Sequence, residues 1–196
     1  MKLNIFLPAL FLAAAPTFAH DKHHGQNQTQ DVALAEEPLA LPNLPVTDRH
    51  GSRGGFREKV GTERSLIMSF SYTECESLCN VTNAVLMMVD DSLSENPEHD
   101  VQIVTVAIDA LRDTPEALNA EAELLSASEN WLWLTGGTKG TRPLLNTLRF
   151  PPGALEDHDP IFLVGRPCRG LFTRVIGLPD PDKLIELATS QPPCAD

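Results

Sequence analysis

The chain has 196 residues, and 27 acidic against 15 basic side chains give it a formal net charge of −12. A surface this acidic excludes electrostatic binding to nucleic acid or to anionic membrane lipids, and it suits a protein that handles cations. The length fits one domain with a hydrophobic core, and four cysteines are too few to replace that core with a disulfide scaffold.

Residues 1–19 have the order of a secretory signal peptide: Lys2 precedes an apolar run from Ile5 to Ala15, and small residues follow. We expect cleavage after Ala19, which takes the net charge from −12 to −13 by removing the one positive charge of Lys2. The apolar run is shorter than the roughly 20 residues that span a bilayer, although an uncleaved leader would act as a weak anchor. The expected location is the periplasm or another envelope space, with no transmembrane helix after cleavage.

Residues 20–45 combine histidine, glutamine, alanine, glutamate and proline without periodicity, which is typical of a flexible arm, so the folded domain is expected to start at Val46. Cleavage at the predicted position would make His20 the first residue. Its amine and imidazole, together with His23 and His24, form a candidate secondary Cu(II) site. A solvated polar segment without function explains the composition equally well.

Apolar runs and helical periodicity alternate through the first half of the domain. Ser65–Phe70 and Val101–Ile108 are compact apolar runs that predict buried strands, and Cys79–Leu93 between them predicts a helix. The apolar stripe of that helix is predicted to hold Val81, Val85, Met88, Val89 and Ser92. The stretch Asp113–Ser126 predicts a further helix, because it begins with a capping acceptor and a proline in the first turn.

The second half continues with a predicted strand at Trp131–Leu134 and a helix at Thr138–Leu148. Pro160–Val164 and Leu171–Ile176 flank a turn and predict a hairpin, and a last helix is expected at Asp182–Ala188. This order predicts an α/β fold with a central mixed β-sheet flanked by helices. A thioredoxin-like architecture fits it, with a cysteine pair directly after the first central strand.

That pair, Cys75 and Cys79, lies at the junction of a strand with a helix. Side chains four residues apart share a helix face. A helix N-terminus also favours the thiolate that both metal binding and disulfide exchange need, although Glu74 and Glu76 oppose this effect. A C-x-x-C pair would indicate redox chemistry, whereas the extra residue here leaves more room for an ion. Thiolates select Cu(I) and an added imidazole serves Cu(II), so a copper site completed by a distant histidine is favoured over an inert local disulfide.

Three segments of the chain resemble the SCO/SenC family of copper-binding proteins. They are Phe70–Cys79, Val106–Asp109 followed by Arg112–Glu116, and Asp157–His158. The resemblance covers about Val46 to Leu187. The chain differs in Glu76 and Asn80, where the family usually has proline after each cysteine, and in Asp159, where the family tends to have a small hydroxyl residue.

The resemblance implies that residues 46–196 form a thioredoxin-like domain of the SCO/SenC type. It implies that Cys75, Cys79 and His158 bind copper, as Cu(I) or Cu(II), with Asp109 as a nearby acidic residue. Asp109 at a strand end is equally suited to local hydrogen bonding. The implied partner is an oxidase subunit that accepts copper for the binuclear copper centre of cytochrome c oxidase.

The other two cysteines lie in the predicted hairpin turn (Cys168) and on the proline-rich tail (Cys194). Four cysteines allow three pairings. We favour a Cys75/Cys79 pair together with a structural Cys168/Cys194 disulfide that fastens the tail to the domain. A second redox pair that passes electrons to the first remains an alternative.

Two classes of function therefore compete. The first is an exported copper chaperone that holds the ion on Cys75, Cys79 and His158, and a copper sensor or scavenger would use the same ligands. The second is an enzyme, an envelope thiol-disulfide oxidoreductase in which Cys75 and Cys79 are catalytic and a thiol-disulfide reductant is the partner. His158 separates the classes, since disulfide exchange does not require it.

Overall fold

The computed structural model of the chain describes residues 32–75, 78–154 and 158–195. The predicted signal peptide and the candidate secondary ligands His20, His23 and His24 lie outside these residues, as do Glu76 and Asp157. In the described part, eight strands form one mixed sheet and helices cover both of its faces. The predicted α/β fold with a central mixed sheet is confirmed.

The sheet has the strand order β1-β8-β7-β4-β5-β6-β2-β3, in which β4, β5 and β6 run parallel and the other neighbours run antiparallel. The strands are β1 (Ala33–Pro38), β2 (Pro45–Asp48), β3 (Arg53–Gly55), β4 (Ser65–Ser71), β5 (Val101–Ala107), β6 (Trp131–Thr135), β7 (Ile161–Arg166) and β8 (Leu171–Ile176). The helices are α1 (Phe56–Val60), α2 (Leu78–Glu95), α3 (Pro115–Leu124), α4 (Gly137–Thr147) and α5 (Pro181–Thr189).

The central strand β4 is buried along all seven of its residues. Leu66 and Met68 pack with α1 and α4 on one face of the sheet, whereas Ile67 packs with α2, α3 and α5 on the other. A strand covered on both faces requires a continuous apolar run rather than alternation. This is why the sequence predicts β4 and β5 within one or two residues. The parallel strands end together at Ser71, Ala107 and Thr135, which we call the carboxyl end of the sheet.

The buried face of α2 differs from the predicted stripe. Val81 and Met88 are 46% and 60% exposed, whereas Val85 and Val89 of the predicted stripe do pack in the core. The buried positions are Thr82, Asn83, Leu86, Val89, Asp90 and Leu93. Half of them are polar. Asn83 Nδ2 donates to Glu121 at 3.3 Å, and Asp90 accepts bonds from the Ser128 N–H (2.8 Å) and hydroxyl (2.6 Å). The face of α2 predicted from hydrophobicity alone is therefore rotated about the helix axis relative to the face that is buried.

The predicted flexible arm over residues 20–45 is wrong from Ala33 onward. Strand β1 pairs with β8, and Leu39 and Leu41 are buried in the core. The domain therefore begins well before Val46. Most side chains of β1 are exposed, because it is an edge strand, and it lacks the alternation that reveals a half-buried strand. The short elements β2, β3 and α1 were likewise not predicted.

The helix predicted to run to about Ser126 is α3 (Pro115–Leu124), and it begins with the predicted capping acceptor and proline. Thr114 is the N-cap, and its hydroxyl oxygen accepts from the Ala117 N–H at 3.3 Å. Asp113 instead turns back toward the strand-to-helix loop that carries Cys75. Among the described helices, none combines the length and the apolar character needed to cross a membrane.

Candidate metal centre

Cys75 lies in the connection between β4 and α2, and Cys79 lies in the first turn of α2, both at the carboxyl end of the sheet. The structure joins them by a disulfide with a Cα–Cα distance of 5.7 Å, and both residues are half-buried. The Cys79 N–H, in the first turn of α2, donates a hydrogen bond to the Cys75 Sγ at 3.2 Å. An N–H group directed at sulfur from a helix N-terminus stabilises the thiolate once the disulfide is reduced.

His158 precedes β7 by three residues and lies at the same end of the sheet, because β7 runs antiparallel to β4. Its imidazole packs edge-on against Phe150, with ring centroids 4.7 Å apart, and Phe150 is in turn 4.7 Å from Phe70 near the end of β4. Gly153 lets the ring approach closely, since a Cβ there would lie 2.9 Å from His158 Cε1. The aromatic rings therefore hold His158 at the end of the sheet from which the cysteine loop departs.

A cavity of about 240 Å³ opens beside the imidazole. His158, Phe150 and Ile108 line it, together with Leu145 and Ala110. Ile108 follows the last residue of β5, so the cavity also belongs to the carboxyl end of the sheet. The half-buried histidine is thus packed on one side and open on another, as a ligand that must capture and release an ion requires.

The described residues contain no group of three or more His, Cys, Asp or Glu side chains arranged to hold a metal ion. The two sulfurs are bonded to each other, and His158 is packed against Phe150. Reduction of the disulfide would supply two thiolates at the end of the sheet where the imidazole lies. The donor chemistry of these three residues fits copper, which takes thiolate and imidazole ligands.

Asp109 follows β5 and is occupied by local hydrogen bonds. Its carboxylate accepts from the N–H groups of Leu111 (2.9 Å) and Arg112 (3.2 Å) and from Arg112 Nε at 2.6 Å. Burial opposes ionisation of this carboxyl, but these bonds outweigh it and hold the pKa of Asp109 below its ordinary value. The structure thus places Asp109 near the cysteine loop as a structural acceptor.

Asp113 and Thr73 form a contact that the sequence did not reveal. Asp113 is 3% exposed, and its carboxylate accepts from the Thr73 N–H (2.9 Å), the Thr73 hydroxyl (3.0 Å) and the Asp109 N–H (2.9 Å). Burial raises the pKa of Asp113 despite these bonds. The two residues are 40 positions apart, and the parallel pairing of β4 with β5 brings them together.

The second disulfide joins Cys168 to Cys194 with a Cα–Cα distance of 5.7 Å. The Cys168 N–H donates to the Thr62 carbonyl at 2.9 Å, and Thr62 lies just before β4. Cys75 lies just after the same strand, so the two disulfides occupy opposite ends of β4, separated by roughly 20 Å at about 3.3 Å per residue. This separation agrees with a structural role for the second pair better than with direct electron transfer between them.

Comparison with known proteins identifies a family that this chain matches. A family model described as SCO1/SenC matches residues 47–150. A Stutzerimonas stutzeri protein named for copper binding is 26% identical over 145 residues, which cover 72% of this chain and 69% of that protein.

Solved structures share the fold. Yeast Sco1 has a TM-score of 0.65 at 23% identity, over 80% of this chain and 98% of that one. Arabidopsis thaliana ScoI with copper bound has a TM-score of 0.63 at 21% identity, over 77% of this chain and 96% of that one. These matches confirm the predicted thioredoxin-like fold.

Proposed function

The chain belongs to the SCO1/SenC family, and we propose that it is an exported copper chaperone that delivers copper to the binuclear copper centre of a cytochrome c oxidase. One observation carries the proposal: a cysteine pair at a strand-to-helix junction and a packed but accessible histidine lie at the same end of the sheet. The partner is a copper-accepting oxidase subunit. The acidic surface, with a formal net charge of −12, favours the approach of cations.

Copper is the cargo of this protein, and its ligands are Cys75, Cys79 and His158. The two thiolates suit Cu(I), and the imidazole extends the donor set to Cu(II). Transfer proceeds by ligand exchange, in which donors of the recipient replace the protein's ligands in turn. Only copper–ligand bonds are broken in this transfer, and no covalent bond of the protein is, so the emptied dithiol can bind another ion.

The disulfide requires a loading step before copper can bind. Two electrons and two protons must reach the Cys75–Cys79 bond to give two thiols, which then lose their protons to the solvent as the metal binds. A thiol-disulfide reductant in the same compartment would supply the electrons. Copper binding and the redox state of the pair are thus linked.

A thiol-disulfide oxidoreductase is the second candidate, and the bonded cysteine pair at the N-terminus of α2 favours it. In that reaction one thiolate attacks the disulfide of a partner, and the other resolves the mixed disulfide. Disulfide exchange leaves His158 without a role.

Anaerobic copper titration of reduced residues 20–196 tests the proposal. We expect one tightly bound copper that is lost in Cys75→Ser, and at least about tenfold weaker binding in His158→Ala, since changes around metal ligands alone cost about 10- to 100-fold. The matched control is His50→Ala, which removes an exposed histidine remote from the cysteine loop and should bind like the parent. Undetectable binding by a chain whose thiols exchange normally would reject the chaperone in favour of the oxidoreductase.

The histidines that follow the predicted cleavage site are a separate proposal. His20, His23 and His24 form a secondary Cu(II) site if cleavage leaves His20 at the N-terminus. Replacing all three with alanine should remove one weak Cu(II) equivalent and leave the tight site unchanged.

A further inference from the structure

The two residues before Cys75 are each bonded to the loop that follows β5. Thr73 gives its N–H and its hydroxyl hydrogen to Asp113. Glu74 accepts from Arg112 Nη1 at 2.5 Å. The segment 109–113 therefore holds the cysteine loop at a point two residues from the first sulfur.

The two contacts differ in strength. Glu74 and Arg112 are both more than half exposed, and an exposed ion pair contributes little. Asp113 is buried, and each of its oxygens is hydrogen-bonded. Breaking the Asp113–Thr73 contact would leave a buried acceptor unsatisfied, which is the costly case.

The two cysteines are held by different parts of the fold. Cys79 lies in α2, whose backbone bonds fix its position. Cys75 lies outside helix and strand, between the end of β4 and the start of α2. Its position in the reduced protein therefore depends on the hydrogen bonds made by the residues just before it.

We infer that Asp113 and Thr73 are positioning residues for the cysteine pair, and that they keep the two sulfurs within bonding distance of a common partner after the disulfide is reduced. A fixed Cys75 raises the effective concentration of one thiol at the other, because less chain entropy is lost when the two sulfurs are joined. The same preorganisation favours a metal held by both sulfurs. That second consequence rests on the proposed function, whereas the effect on the disulfide does not.

The disulfide equilibrium with dithiothreitol measures this directly. In the reaction, dithiothreitol gives up two electrons and two protons and becomes its cyclic disulfide, while the Cys75–Cys79 bond is cleaved to two thiols. Thr73→Val keeps the branched shape and removes only the hydroxyl donor. We expect the equilibrium to shift about five- to tenfold toward the dithiol, the size of one ordinary intramolecular hydrogen bond.

The chain offers a matched control. Asp90 and Ser128 repeat the same arrangement, in which a buried carboxylate accepts from the N–H and the hydroxyl of one residue. Asp90 lies 11 residues beyond Cys79 on α2, about 16 Å along the helix. Ser128→Ala should therefore lower the melting temperature and leave the disulfide equilibrium unchanged.

Three outcomes would overturn the inference: an equilibrium for Thr73→Val within twofold of the parent, an equal shift in Ser128→Ala, or failure of Thr73→Ser to restore the parent value. If Thr73→Val does not fold, Asp113→Asn replaces it and should shift the equilibrium in the same direction, because the amide nitrogen cannot accept. Copper titration of Thr73→Val then separates the two proposals. A shifted disulfide equilibrium without any copper binding, in parent and variant alike, would support the positioning role and reject the chaperone.

Discussion

The imidazole of His158 owes its position to a residue without a side chain. Because a Cβ on Gly153 would lie 2.9 Å from His158 Cε1, Gly153→Ala must displace the ring or the loop that carries it. Under the proposed function, we expect copper affinity to fall by about tenfold, as for other changes around a ligand. The disulfide equilibrium of the cysteine pair should not change.

A double mutant provides the control for this prediction. If Gly153→Ala acts through the imidazole, adding it to His158→Ala should cause no further loss of affinity in the same titration. Additive losses would show that the glycine acts elsewhere.

The carboxyl of Asp113 makes the stability of the domain depend on pH. Burial raises its pKa above the ordinary value of 3.8, so the folded state binds this proton more tightly than the unfolded state does. The sign follows from linkage: the contribution of Asp113 is most favourable at or below pH 3.8 and is lost as the pH rises through its folded pKa. Asp109 has the opposite dependence, since its pKa is lowered.

Asp113→Asn removes the pH-dependent contribution of Asp113 to stability and leaves that of Asp109 in place. We therefore expect the free energy of unfolding of the parent, relative to Asp113→Asn, to decrease as the pH rises from 3.8 toward neutrality. Urea unfolding of both proteins at pH 4 and pH 7 measures the difference. A relative stability that rises over this interval would contradict the assigned direction.

The elements of the fold differ in how well the sequence predicts them. β4 and β5 are buried on both faces, and their apolar runs identify them directly. β1 is an edge strand with exposed side chains, and only its pairing with β8 defines it. The buried face of α2 could not be predicted, because buried Asn83 and Asp90 find partners that the sequence does not show.

The residues of the candidate site also differ in how well the sequence predicts them. Cys75 and Cys79 were predicted from their residue type, spacing and place at a strand-to-helix junction, and His158 from the resemblance to the SCO/SenC family. The contact between Thr73 and Asp113 was not found, because it depends on strand register over 40 positions. A capping signal predicts that an acceptor is needed at a helix start, but it does not say which of two neighbouring residues supplies it.

The buried face of α2 leads to a prediction about the free energy of unfolding. Leu86 is fully buried, so Leu86→Ala should lower the free energy of unfolding by about 2–5 kcal/mol. Met88, two positions away, is mostly exposed, and Met88→Ala should change stability by no more than about 0.5 kcal/mol. Urea denaturation of the two variants distinguishes this face from the predicted stripe, which would reverse the order.

The two disulfides of the molecule are predicted to serve different purposes. The Cys168–Cys194 bond closes a loop with a sequence separation of 26 and fastens the tail beside Thr62. In the chain-entropy account, Cys168→Ser should cost about 3–4 kcal/mol, and Cys75→Ser, with a separation of 4, only about 2 kcal/mol. Thermal unfolding should show the larger fall in melting temperature for Cys168→Ser, and an unchanged value would exclude the structural role.

The register of the sheet has a consequence for the chain that precedes β1. Leu34 pairs with Val175, Val175 with Phe162, and Phe162 with Ser69, so the start of β1 lies in the same row as the last residues of β4, three strands or about 14 Å away. Whatever precedes Val32 is therefore tethered at the end of the sheet from which the cysteine loop departs. Copper captured by His20, His23 and His24 would reach the cysteines within one molecule, and its transfer would follow first-order kinetics at a rate independent of protein concentration.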